Sequence, residues 1–139
     1  YLGLSQDARI RKPLIIIVPK FDILSDMAGI SLDKEPYSEG SEDQPAVMDI
    51  REVERVSDVL RDLLRRLCPE YVAAAESLSK AVRYIPVSSL GTSPELVEHG
   101  DQKIYGVRPK NIHPKWVTVP LLYCLCKWAR GTIGRKGDT

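Results

Sequence analysis

Cysteine is scarce and unpatterned in this chain. Three residues, Cys68, Cys124 and Cys126, are too few and too irregularly spaced for a disulfide framework, which points to reduced thiols in a cytoplasmic setting. Cys124 and Cys126 lie two apart in a helical pattern and would point about 200° apart, so they cannot share one metal. Core packing is the simpler role for them. No apolar run reaches the roughly 20 residues of a membrane span, and the N-terminus has no signal-peptide pattern. Neither sign of charge is in excess: 20 Lys and Arg face 19 Asp and Glu, for a net +1. No basic stripe with interleaved aromatics is present, which argues against a nucleic-acid surface. A G-x-x-x-x-G-K-[ST] phosphate loop is also missing. Gly131 and Gly134 are three apart and follow a helical pattern rather than a strand.

What is present suits one soluble domain of 139 residues, 43% hydrophobic and 28% charged. The chain opens at Tyr1 rather than Met, and the expectation is a piece of a longer polypeptide. Residues 13–19 form the clearest strand, in which Pro13 punctuates and Leu14, Ile15, Ile16, Ile17 and Val18 follow. A continuous β-branched run predicts burial on both faces, as in a parallel sheet covered by helices.

Residues 24–48 hold six carboxylates (Asp26, Asp33, Glu35, Glu39, Glu42, Asp43) against Lys34, with Gly29, Gly40, Pro36 and Pro45 among them. The expectation is an acidic, mobile loop insertion. Asp49 and Glu52 have capping-box spacing, and Ile50, Val53, Val56, Leu60, Leu63 and Leu67 make one helical stripe. Cys68-Pro69 then breaks the pattern. A second helix is predicted over 69–81, with Pro69 in its first turn and Tyr71, Ala74, Ala75 and Leu78 inward. RYIPVSSLG, residues 83–91, reads as a second strand with a polar exit. Pro94, Gly100, Gly106, Pro109 and Pro114 mark 92–114 as irregular, with room for a short hairpin. A last helix runs from near Pro120, capped by Thr118, to Arg130-Gly131. Leu121, Leu122, Leu125 and Trp128 are on its expected inner face, and Trp116 and Trp128 anchor it. The tail, 131–139, is expected to fray. His99 and His113 read as surface loop residues. Strands alternating with helical segments give an α/β class with a parallel sheet flanked by helices.

Two polar sequences fall at the carboxyl ends of the two strands, PKFD and VSSLG, where open α/β sheets bind ligands. Guanine presents N1–H and N2–H₂ as adjacent donors, which one fixed carboxylate can accept. Its face can rest on a lysine stem, and its O6 needs a donor. Lys20 and Asp22 share a face if the chain stays extended. Ser88, Ser89 and Leu90 offer a hydroxyl and backbone donors. The plainer alternative is that Lys20 and Asp22 are turn residues and Ser88-Ser89 a polar strand exit.

Pro19-Lys20-Phe21-Asp22 resembles the Asn/Thr-Lys-x-Asp motif of P-loop GTPases, with proline at the Asn/Thr position. Ser88-Ser89-Leu90 resembles their Ser-Ala-Lys/Leu motif. The resemblance covers residues 14–22 and 84–91. It implies that Lys20 stacks on guanine, that Asp22 accepts from N1 and N2, that Ser88 braces Asp22, and that the Ser89 backbone faces O6. It further implies a single partial α/β domain, 1–139, forming the C-terminal half of a GTPase-like three-layer architecture. GTP or GDP would bind with Mg²⁺ held by residues outside this chain, on a P-loop-bearing N-terminal half, and the chain alone would not be catalytic. A protein partner at the acidic loop is also expected. The alternative is a nucleotide-independent pseudo-GTPase scaffold or interaction module.

Overall fold

A computed structural model describes residues 12–41, 46–99, 102–129, 131 and 133–136. In chain order, β1 (Leu14–Val18) leads through a 3-10 turn, Phe21–Ile23, into α1 (Ser25–Ala28). Two short strands, β2 (Tyr37–Ser38) and β3 (Val47–Met48), precede α2 (Ile50–Leu67) and α3 (Pro69–Leu78). Then come β4 (Val82–Pro86), a hairpin of β5 (Glu95–His99) and β6 (Gln102–Gly106), α4 (Val119–Trp128) and β7 (Gly134–Arg135). The class is mixed α/β. The sheets are small: β1 and β4 pair in parallel, β2-β3-β7 form a three-stranded sheet, and β5-β6 stand apart. The described elements therefore do not make one broad sheet between two helical layers.

The β1–β4 pair runs in register from Leu14↔Val82 to Val18↔Pro86. A parallel ladder uses alternate residues of each strand, so with Val87 N–H donating to Val18 O at 2.9 Å, the N–H of Tyr84 faces away from β1. Ser57 of α2 closes that outer edge by accepting from Tyr84 N–H at 2.9 Å. Pro86, the next outward position, has no N–H to satisfy, which suits an edge. β4 is buried at Val82, Tyr84, Ile85 and Pro86. β1 is not: Ile17 is 52% exposed, and its other four residues are half-buried. The expectation of a strand covered on both faces thus fails. Among the described residues β1 pairs only with β4, so its outer half lacks a neighbour to bury it.

α2 forms as its sequence predicts. The Asp49 carboxylate accepts from Glu52 N–H at 3.2 Å, and Val53, Val56, Leu60 and Leu63 enter the core. Leu67, at the end of the stripe, is exposed. α3 departs from expectation in which face it buries. Val72 and Ala75 point inward, whereas Tyr71 (73% exposed), Ala74 and Leu78 face solvent. Alanine and other apolar residues occur all round this helix, so packing rather than pattern selects the buried face. The same holds for α4, where Val119, Pro120, Tyr123 and Cys126 are buried and Leu121 and Trp128 are exposed. Trp128 still meets Tyr123 edge-to-face, with ring centroids 5.8 Å apart. Thr118 makes no side-chain cap; its hydroxyl donates instead to Tyr37 Oη at 3.2 Å.

The segment expected to be a loop, 24–48, contributes α1, β2 and β3 among its described residues and buries Ile30, Leu32 and Met48 in the core. Glu42, Asp43 and Pro45 lie outside the described residues, as do Gly100, Arg130 and 137–139. Within the tail, Gly134–Arg135 pairs in parallel with β3. Cys126 is buried, Cys68 and Cys124 are half-buried, and all three are free. His113 is exposed, while the side chain of His99 is outside the described set. Among the described residues no helix is long and apolar enough to cross a membrane.

Candidate functional site

The carboxyl ends of β1 and β4 lie side by side because the strands are paired and parallel. The ladder continues one step past them, with Phe21 N–H donating to Val87 O at 3.1 Å. That bond places Asp22 against Ser88. Ser88, buried to 2% exposure, donates its hydroxyl to Asp22 Oδ1 at 2.6 Å. Ser93 donates to Asp22 Oδ2 at 3.1 Å. Both oxygens of the carboxylate are therefore held, which fixes its plane, and each keeps a free lone-pair direction for a ligand. Gly91 N–H in turn donates to Ser88 Oγ at 2.9 Å.

The polar exit of β4 is clamped from outside by residues 113–116. Ser88 and Lys115 exchange both backbone hydrogen bonds, at 3.1 and 2.8 Å, and His113 N–H donates to Leu90 O at 2.9 Å. Glycine is required in this turn. Gly91 has φ +72, and a Cβ there would sit 1.8 Å from His113 O. Trp116 follows at φ 57, an unusual value for a bulky residue. It is 1% exposed, its N–H donates to Glu35 Oε1 at 2.9 Å, and its indole Nε1 donates to Lys34 O at 2.9 Å. These contacts tie the acidic segment to the far side of the site and hold the backbone of Trp116 in place.

The result is a cavity of about 360 Å³. Its apolar wall is Phe21, Ile30 and Leu32; its polar lining includes Asp22, Asp26, Asp33, Ser88, Ser93 and Lys115. The volume is in the range of small-ligand sites. Lys115 Nζ donates to Asp33 Oδ1 at 2.5 Å, and Ser31 also donates to that carboxylate. The Lys115 hydrogen bond, with that of Ser31, holds the Asp33 carboxyl below the usual carboxylate range. Three carboxylates and one ammonium face the cavity, so it favours groups that donate hydrogen bonds over anions. Among the described residues no cluster of His, Cys, Asp or Glu is arranged to hold a metal ion.

Of the five residues singled out in the sequence, Asp22 and Ser88 meet and line the cavity. Lys20, Ser89 and Leu90 are exposed and are not in its lining. The extended geometry expected from Lys20 to Asp22 is absent: Lys20 has φ 54, and Phe21–Ile23 is a 3-10 turn. The two side chains therefore do not share a strand face. Ser93 and Lys115 were not marked by any sequence signal, and Asp33 was read only as one carboxylate of the acidic segment. They reach the site through contacts across 71 and 82 residues of chain. A glycine after two serines at a strand end was the one local hint that the chain turns back tightly there.

The chain is thus a mixed α/β protein with a polar cavity where two parallel strands end. No protein-family model, no curated protein and no solved structure matches it.

Proposed function

We propose that this chain is the base-recognising part of a guanine-nucleotide-binding, GTPase-like domain, working in the cytoplasm within a regulatory or signalling NTPase. The observation that carries the reading is the Asp22 carboxylate, held on both oxygens by Ser88 and Ser93 in a cavity at the carboxyl ends of two parallel strands. A carboxylate with a fixed plane suits a ligand edge bearing two adjacent donors, as guanine N1–H and N2–H₂ do. One side chain from each of the two motifs that resemble those of P-loop GTPases, Asp22 and Ser88, meets there, while Lys20, Ser89 and Leu90 stay outside the lining. On this reading the three-layer sheet is completed, and GTP or GDP with Mg²⁺ is held, by a P-loop-bearing half outside this chain. Hydrolysis by positioned water would belong to that half.

Titration with labelled GDP, GTP and ATP tests this. Guanine-specific binding that disappears in Asp22→Ala is the expected result. Equal competition by ATP would remove the base-reading role, and no nucleotide binding by the folded full-length polypeptide would remove the reading altogether. Pro19 favours a second reading, a nucleotide-independent scaffold whose acidic segment meets a protein. It has neither the side-chain donor nor the backbone N–H that the related motif supplies at that position.

A further inference from the structure

The resemblance to P-loop GTPases implies that the Ser89 backbone faces O6 of guanine, yet Ser89 is exposed and outside the cavity lining. Among the described residues one cationic side chain lines the same cavity as Asp22, and that is Lys115. Its backbone is locked to Ser88 by two hydrogen bonds, so it is registered to the residue that braces Asp22. Its side chain is 30% exposed and, among the described residues, its ammonium has one partner, Asp33 Oδ1. An ammonium carries three donors, which leaves two for a ligand. We infer that Lys115 is a specificity-determining residue of the site, donating to the 6-oxo group of a purine whose N1 and N2 donors are taken by Asp22.

This rests on the guanine reading and adds a discrimination to it. A purine with an oxygen at position 6 accepts from Lys115. Adenine presents an amino group there, and two donors would then face each other with no acceptor between them. Asp33 acts as a positioning residue: it anchors the ammonium at the cavity wall and is itself exposed to solvent. Asp26 adds negative charge to the lining, so the part of the ligand that enters is the neutral base, with phosphates kept outside.

Nucleosides test this without any contribution from phosphate binding. Guanosine, inosine and 2-aminopurine riboside would be titrated into the isotope-labelled chain and followed by NMR shifts. Guanosine and inosine both carry the 6-oxo group and N1–H; 2-aminopurine riboside keeps the 2-amino group and lacks both, so its weaker binding to the unaltered chain is the baseline from which the effect of Lys115→Met on it is read. Lys115→Met retains the apolar stem and removes the donors. It is expected to weaken guanosine and inosine about tenfold, the scale of a charge-assisted hydrogen bond, and to leave 2-aminopurine riboside unchanged. Asp33→Asn removes the charge but keeps an oxygen that can accept from the ammonium, so guanosine binding should weaken by less than in Lys115→Met. Equal weakening of all three nucleosides by Lys115→Met, or weakening of none, would overturn the inference. So would a loss in Asp33→Asn as large as that in Lys115→Met, since the ion pair rather than the donor would then matter. Failure of the unaltered chain to take guanosine at millimolar concentration would instead overturn the guanine reading, and this inference with it.

Discussion

β1 and β4 are paired over five residues, yet the more apolar strand is the less buried one. β1 reads LIIIV and leaves Ile17 half in solvent, while β4 reads VRYIP, with an arginine and a proline, and has Ile85 fully buried. The difference lies in what surrounds each strand. α2 runs along β4, Ser57 seals its outer N–H, and Glu54 on the same helix receives the Tyr123 hydroxyl and the Lys127 ammonium of α4. Arg83 of β4 approaches Glu54 at 3.8 Å, so even its charge is placed within this cluster. β1 has no comparable cover among the described residues. Burial follows from neighbours, and composition alone is a poor guide to it.

Four substitutions would break or sharpen this contrast. The largest effect is expected for Ile85→Ala, which empties space in a closed core and should lower stability by about 2–5 kcal/mol in denaturant unfolding. An effect no larger than that of a surface change would mean that β4 is not the buried member of the pair. Ser57→Ala comes next. It removes the acceptor for Tyr84 N–H in a buried setting, at about 1–3 kcal/mol; a neutral result would show that another group or a water takes that N–H.

Asp49→Ala loosens the start of the helix that covers β4 and should cost about 1 kcal/mol near neutral pH. The Lys136 ammonium, hydrogen-bonded to Asp49 Oδ2, holds this carboxyl below its ordinary value despite partial burial. Its stabilising contribution is therefore full above the unfolded value of about 3.9 and is lost as pH falls through the lower folded one. The gap between the two proteins should narrow below about pH 4; a gap constant down to acid would count against the carboxylate as the cap. The smallest effect is expected for Ile17→Thr, within about 0.5 kcal/mol, as for a surface site. A cost as large as that of Ile85→Ala would show that β1 is covered in solution.

The same contrast explains which features could be read from the chain itself. α2 could be predicted closely because its signals are local: a cap three residues from its partner, and one apolar stripe on a polar helix. α3 and α4 were recognisable as helices, but both carry apolar residues on several faces, so Tyr71 and Leu121 were expected inside and lie outside. At the site, Asp22 and Ser88 were marked by their positions at strand ends. Lys20 was placed on the wrong geometry because nothing in PKFD announces that the chain leaves the extended region at Lys20. Ser93 and Lys115 carried no signal, because a serine or a lysine in an irregular segment is ordinary until the fold brings it back.

Local signals in the chain did not set α1, β2, β3 or β7, but they set the order of β1, α2, α3, β4 and α4, the mixed class, the start of α2 and the polar residues at two strand ends. These depend on neighbours within a few positions, where spacing and chemistry act directly. Tertiary packing set which faces of α3 and α4 are buried, how far β1 is covered, and that residues 33–37 meet 115–118, bringing Asp33 and Lys115 into the cavity lining. Those outcomes depend on contacts between residues 15 to 82 positions apart, and no local pattern encodes the partner at the other end.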